Sequence, residues 1–290
     1  MFPELVDAAR FESLVRLLAS AYRVLPAGEA VSRLTDGTLP RGALSITFDD
    51  GYADNAQVAL PILRRHGVSA TFFVATGFLD GGRMFNDSVI ECLRAAPGDE
   101  ADLGEFGLGR CPLATPHERR AVVDALVPQV KYMALAEREG FISRLCGRLR
   151  VSRLPDNLMM GAAQVRELHR AGMEIGAHTV RHPILRVVDD ADAEREITHG
   201  RDELQGLIDA PVQLFAYPNG RPLQDYDARH VAMVRRIGFK AAFSTAPGTA
   251  TATSDLFQLP RFSPWDQTAA GWMARLLRMR MFGAAAVKQA

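Results

Sequence analysis

Short apolar runs recur along this chain between segments whose apolar residues fall at helical spacing: ALSITF (43–48), ATFFVAT (70–76), EIGAH (174–178), VQLFAYP (212–218), KAAFST (240–245) and FQLPRF (257–262). The runs are β-branched or aromatic and apolar on both faces, as strands of a parallel sheet covered by helices must be. Intervening stretches such as NAQVALPILRRHG (55–67) and AAQVRELHRAG (162–172) read as amphipathic helices, each ending on a glycine suited to a C-terminal cap. Repeated strand, loop and helix units restrict the fold to the α/β class, as a barrel or an open doubly wound sheet.

Two segments break the rhythm. Residues 83–158 contain no convincing strand, and PHERRAVVDALVPQVKYMALAEREGFISRLCGRL within them has helical spacing, which predicts a helical insertion over one end of the sheet. TAAGWMARLLRMRMF predicts an amphipathic C-terminal helix, about 266–282, packing against the body or a second subunit rather than a membrane surface. With no repeat, low-complexity tract or Gly/Ser linker, residues 1–290 are read as one domain.

The 34 basic and 34 acidic residues cancel, and the arginines are scattered rather than gathered in a stripe, which argues against a nucleic-acid partner. No run reaches the ~18 apolar residues of a membrane span. Cys92, Cys111 and Cys146 lack the paired spacing of a zinc knuckle or disulfide framework. Together with an N-terminus unlike a signal peptide, these features lead us to expect a cytoplasmic protein, with a homo-oligomer open.

Chemistry concentrates where strands end. Asp49 and Asp50 follow SITF directly and precede Gly51, at the carboxyl edge where α/β active sites collect. Adjacent carboxylates repel, so they are either solvated or held around a cation. A helix-capping role falls more naturally to Asp54 and Asn55, just before the helical run. His178 and His182 stand four apart in GAHTVRHP. On a continuous strand they would be ~13 Å apart; a turn after His178 would aim both imidazoles at one point. Two histidines and a carboxylate make an open three-ligand metal site, leaving the second carboxylate free to take a proton. In FAYPNG (215–220), Tyr217 ends another strand, where its backbone N–H could meet an oxyanion.

Thr-Phe-Asp-Asp-Gly (47–51), His-Thr-Val-Arg-His (178–182) and Phe-Ala-Tyr-Pro-Asn-Gly (215–220), in this order, resemble the motifs of the polysaccharide deacetylases, the NodB-homology or carbohydrate esterase family 4 enzymes. The resemblance runs from about Arg41 to Phe262 and includes LPILRRHGVSATFFVATGF. It implies a distorted (β/α) barrel that removes N-acetyl groups from amino sugars of a polysaccharide or glycan precursor, using a divalent metal, usually zinc. By motif position, Asp49 would be the base; Asp50, His178 and His182 would hold the metal; Tyr217 would supply a backbone oxyanion donor.

Two features depart from the family pattern. The third motif lacks its usual arginine beside the base, and Arg261 in LPRFSPWD, near Asp266, is the candidate substitute, while Arg181 is expected to point outward. Neither a Leu-x-His motif nor a Tyr-His-Arg segment is present to supply a general acid; His66, His117, His169, His199 and His230 all fall in helical stretches or at their ends. MFPELVDAARF looks like the stretch that follows Tyr-His-Arg in similar proteins, so a start further upstream is expected. The alternatives are hydrolysis of another non-peptide C–N bond, in a formamide or cyclic amide, or a sugar-binding member impaired in catalysis. Phe85, Trp265 and Trp272 could stack on sugar rings or serve as ordinary core.

Overall fold

The computed structural model describes residues 7–262, 268 and 271–276. They form two compact units, one of residues 81–158 and the other of the remaining described residues. In the larger unit, Thr47–Phe48, Thr71–Val74, Glu174–Ala177, Leu214–Ala216 and Ala241–Phe243 make one parallel sheet, ordered in space as in the chain. A doubly wound sheet reverses its strand order at a switch point. No reversal occurs here, so the connections wind one way and the sheet curls as part of a barrel, which decides between the two architectures open from the sequence.

Both faces of the sheet are buried because successive strand residues point to opposite sides. Phe72, Val74 and Ile175 pack among Leu63, Leu168 and Ile197 of flanking helices, whereas Phe73, Leu214 and Phe243 pack with Ala27 and Val31 of helix Ala27–Thr35. Phe72 and Phe73, adjacent in sequence and both fully buried, therefore serve different cores; each contributes about 1.5–3 kcal/mol through burial. A polar anchor fixes helix Ala27–Thr35 to the sheet. Thr71 Oγ1 accepts from the Ala27 N–H (3.0 Å), and Glu174 accepts from both the Gly28 N–H (2.9 Å) and the Thr71 hydroxyl (2.6 Å). A carboxylate suits a helix N-terminus, where the dipole is positive.

Several boundaries differ from the sequence reading. The run 43–48 splits: Ala43–Leu44 pairs with Arg23–Val24 in a separate two-stranded sheet, and only Thr47–Phe48 joins the main one. The run 257–262 is not a full strand; Leu259 makes one bridge to Phe243, and Pro260 has no N–H with which to continue a ladder. The helix expected over 55–67 begins with a π-helical turn, Asn55–Ala59, and continues as Leu60–Arg65. Pro61 cannot donate to residue 57, and the ladder opens instead to a bond from the Leu60 N–H to the Asn55 carbonyl. Asp54 has helical backbone angles and makes no side-chain capping bond, contrary to its expected role.

The unit of residues 81–158 is largely helical, as its spacing predicts. Helices Phe85–Ala95, Pro116–Lys131 and Leu135–Arg148 share a core that includes Leu93, Leu126, Phe141 and Leu145. Thr115 and Glu118 form a capping box at the start of the second helix. This unit also holds an antiparallel pair, Glu100–Asp102 with Arg110–Pro112, which the sequence reading did not anticipate. Three-residue segments as polar as Glu-Ala-Asp carry no readable alternation.

Of the predicted C-terminal helix, residues 271–276 are helical and Thr268 lies in a bend; Trp265, Asp266 and the other residues of that stretch lie outside the described residues. Trp272 is buried, edge-on to Phe262 at 5.7 Å, and Phe85 carries the Arg138 guanidinium over its ring at 4.3 Å. Both rings thus already have protein partners. Among the described residues no helix is long and apolar enough to cross a membrane.

Candidate active site

The three motifs meet at the carboxyl edge of the sheet because strand ends that are neighbours in the sheet stay neighbours in space. Asp49 and Asp50 follow Phe48, His178 follows Ala177, and Tyr217 follows Ala216. Asp50 and Gly51 both adopt left-handed backbone, φ +73° and +93°. Aspartate tolerates this region better than most residues, and glycine enters it freely. The reversal bends the chain away from the strand immediately after the two carboxylates. A Cβ on Gly51 would also lie 3.1 Å from Val74 Cγ1. Gly51→Ala is therefore expected to lower unfolding stability by about 1–2 kcal/mol, measured by denaturant titration.

Asp50 Oδ1 lies 3.4 Å from His178 Nε2 and 3.3 Å from His182 Nε2, and one ligand atom from each of the three residues falls within 4.8 Å of the others. His178, 1% exposed, donates its Nδ1–H to the Ala216 carbonyl at 2.7 Å. That bond sets the tautomer and leaves the Nε2 lone pair facing Asp50. His182 comes alongside, with imidazole centroids 4.7 Å apart, through a tight turn in which Thr179 and His182 both have left-handed φ, +65° and +51°. The sequence reading expected a curl after His178; the conformation that achieves it is left-handed rather than helical.

The donor set fits a divalent cation. Ligand atoms held ~2.0–2.1 Å from a tetrahedral ion stand about 3.3–3.4 Å apart, which is the spacing found between Asp50 and each imidazole. Electrostatics agree: burial disfavours the charged form of His178, yet Asp50 and Asp49 outweigh it and raise the imidazole above its ordinary value. The two carboxylates thus favour positive charge at the imidazole.

Asp49 is held differently. Arg261 grips it through two bonds, Nη1 to Oδ1 at 2.7 Å and Nη2 to Oδ2 at 2.8 Å. Arg261 is itself fixed, with Nε donating to the Ser244 carbonyl (3.1 Å), Nη1 to Thr47 Oγ1 (3.2 Å), and the guanidinium 5.4 Å from the Phe73 ring centre. Burial pushes the Asp49 carboxyl up, but Arg261 and the two imidazoles pull it further down, so it stays below the usual carboxylate value. Its side chain remains 30% exposed. Arg261 thus contacts Asp49 from the segment after the last strand, and Arg181 points outward, half exposed.

Tyr217, whose amide is expected as an oxyanion donor, has a partner for that amide within the sheet. Its N–H donates to the Phe243 carbonyl at 3.1 Å, so the amide is engaged with the neighbouring strand. Its side chain is fully buried, stacked on Tyr226 at 3.8 Å, with the hydroxyl donating to the Phe257 carbonyl. The amide's use depends on its pairing with Phe243, which is not visible locally in FAYPNG.

The other histidines all lie in helices or at their ends. His66 ends a helix and meets Glu12 at 3.1 Å; His169 and His199 lie on helices; His230 is fully buried beside Asp227. His117 belongs to the unit of residues 81–158. Sequence reasoning missed Glu196, which accepts from the Val180 and Arg181 N–H groups inside the histidine motif at 3.0 and 2.7 Å. A glutamate in a charged helical stretch carries no sign of such a contact.

A family profile described as "Polysaccharide deacetylase" matches residues 36–99 and 138–242, more than half of the chain. The Bacillus subtilis (strain 168) protein YxkH, whose name places it with the polysaccharide deacetylases, is 21% identical over 258 residues; the match covers 88% of this chain and 64% of YxkH. Among solved structures, the Streptococcus pyogenes deacetylase PplD in complex with acetate superposes with a TM-score of 0.61 at 20% identity, covering 94% of this chain and 87% of PplD. IcaB from Ammonifex degensii gives 0.59 at 16% identity, covering 94% and 89%. At these identities the two structures establish shared fold.

Proposed function

The chain belongs to the polysaccharide deacetylase family, and on that footing we propose that it removes N-acetyl groups from amino sugars of a polysaccharide or glycan precursor, with a zinc ion held by Asp50, His178 and His182. The observation that carries the reading is the placement of a converging three-ligand cluster beside an aspartate kept ionised by a two-pronged arginine. When bound, a divalent cation supplies Lewis-acid polarisation of the acyl carbonyl and acidifies water. Every other role falls to the chain.

Asp49 is the base. A carboxylate offers about four acceptor sites; Arg261 occupies one on each oxygen, leaving others for an attacking water. The two-pronged contact also fixes the plane of the carboxylate, so a proton arrives at a defined oxygen. After accepting it, Asp49 is the group assigned to return it to the leaving amine. His178, locked by Ala216, presents a fixed lone pair, and Asp50 offers its oxygen from the left-handed turn. No oxyanion contact is assigned to Tyr217.

The direct test is acetate release from chitooligosaccharides and N-acetylglucosamine polymers, with and without chelator. Release that stops on metal removal and returns with zinc is expected; a zinc-loaded protein that binds these glycans without releasing acetate would defeat the reading and favour a sugar-binding role. Arg261→Lys keeps the charge but loses the fork. It is expected to lower kcat/KM about 10- to 100-fold with zinc content unchanged by elemental analysis.

A further inference from the structure

We propose that Glu196 is a positioning residue that pre-forms the metal-binding turn, and the inference rests on the metal reading above. Thr179 and His182, neither of them glycine, both sit at left-handed φ. For a β-branched residue such as Thr179 this is a strained conformation, and it persists only where surroundings enforce it. Within the turn, Thr179 Oγ1 accepts from the His182 N–H at 3.1 Å. That bond closes the turn on itself but does not fix it to the rest of the site.

Glu196 supplies an external hold. From helix Asp190–Ile208 its Oε2 accepts from the Val180 and Arg181 N–H groups, while Oε1 accepts from Arg181 Nε at 2.8 Å. The residue is 5% exposed, and its buried charge is met by three donors, all from the turn. Gly200 lies one helical turn further along: a Cβ there would stand 2.8 Å from Thr179 C and O. The helix thus presents an acceptor at one position and open room at the next, and the turn lies against both. Without Glu196, two partly buried N–H groups would lose their protein partner, a loss that favours other backbone conformations. The Thr76 and Gly77 N–H groups would still bond the Thr179 and Val180 carbonyls, but the Arg181 end of the turn, next to His182, would lose its hold.

The test compares the parent chain with Glu196→Ala and Glu196→Gln. Zinc affinity is measured by competition with a chromophoric chelator, and hydrogen exchange of peptides covering 178–186 is followed in metal-free protein. Removing an outer partner of a metal ligand weakens binding about 10- to 100-fold, which is the loss expected for Glu196→Ala. Glu196→Gln, which keeps an acceptor oxygen, is expected to fall between it and the parent. Faster exchange confined to the turn should accompany the loss. Zinc affinity within about twofold of the parent would overturn the assignment, as would exchange that rises equally across the whole sheet, the sign of a general structural role. Should Glu196→Ala fail to fold, Glu196→Gln carries the same comparison. If the parent binds no zinc, the metal reading itself falls, and turn exchange in the variants still decides the role of Glu196.

Discussion

Asp49→Asn is expected to reduce acetate release by about 10²–10⁴-fold, the range for loss of a positioned general base, while the protein keeps its zinc. The substitution is isosteric and removes the one group assigned to take a proton. It also turns an NH₂ toward the Arg261 guanidinium, so a donor faces donors where a two-pronged ion pair stood. Because Asp49 does not belong to the three-ligand cluster, metal content should be unaffected. Steady-state kinetics with parallel elemental analysis checks both halves. Retained activity would remove Asp49 from the mechanism, and lost zinc would move it into the ligand set.

The same logic predicts how Asp49 and Arg261 combine. Arg261 touches Asp49, Thr47 and the Ser244 carbonyl, and its assigned role acts through the aspartate. Residues that act as a unit give non-additive losses. Arg261→Lys should therefore have little further effect once Asp49 is asparagine.

The parts of the site legible in the sequence were those encoded over a few residues. Two carboxylates at the end of an apolar run, and two histidines at a spacing that only a turn can bring together, announce a cation because like charges need one. Strand existence was legible for the same reason: a parallel strand buried on both faces reads as an unbroken apolar run, as Thr71–Val74 does, with all four residues buried. The missing parts were relational. Whether the Tyr217 amide is available depends on the Phe243 carbonyl in the next strand, and that pairing is set by sheet register. Arg261 is 212 residues from Asp49, and only the absence of an arginine in the third motif drew attention to it. Glu196 is one of several acidic residues on its helix, and nothing in that helix's sequence marks it as the one that meets the turn.

Loss of His178 is the second large effect expected. The imidazole is almost wholly buried and commits Nδ1 to Ala216, so its Nε2 reaches the cluster in one tautomer and one orientation. His178→Ala removes one of three ligands, and zinc affinity should fall by more than the about 10- to 100-fold typical of an outer partner. At zinc concentrations that saturate the parent, acetate release should fall at least about 100- to 1,000-fold, comparable to losing an electrostatic stabiliser of the transition state. The variant also leaves the Ala216 carbonyl without its donor, which costs about 1–3 kcal/mol, so thermal unfolding of both metal-free proteins must accompany the kinetics. His178→Gln, whose amide can still donate to that carbonyl, separates the two effects: stability should largely return while zinc affinity stays low. The parent stripped of metal by a chelator should match His178→Ala in residual rate. A metal-free parent that still releases acetate at its full rate would show that the cluster of Asp50, His178 and His182 is not what drives the reaction.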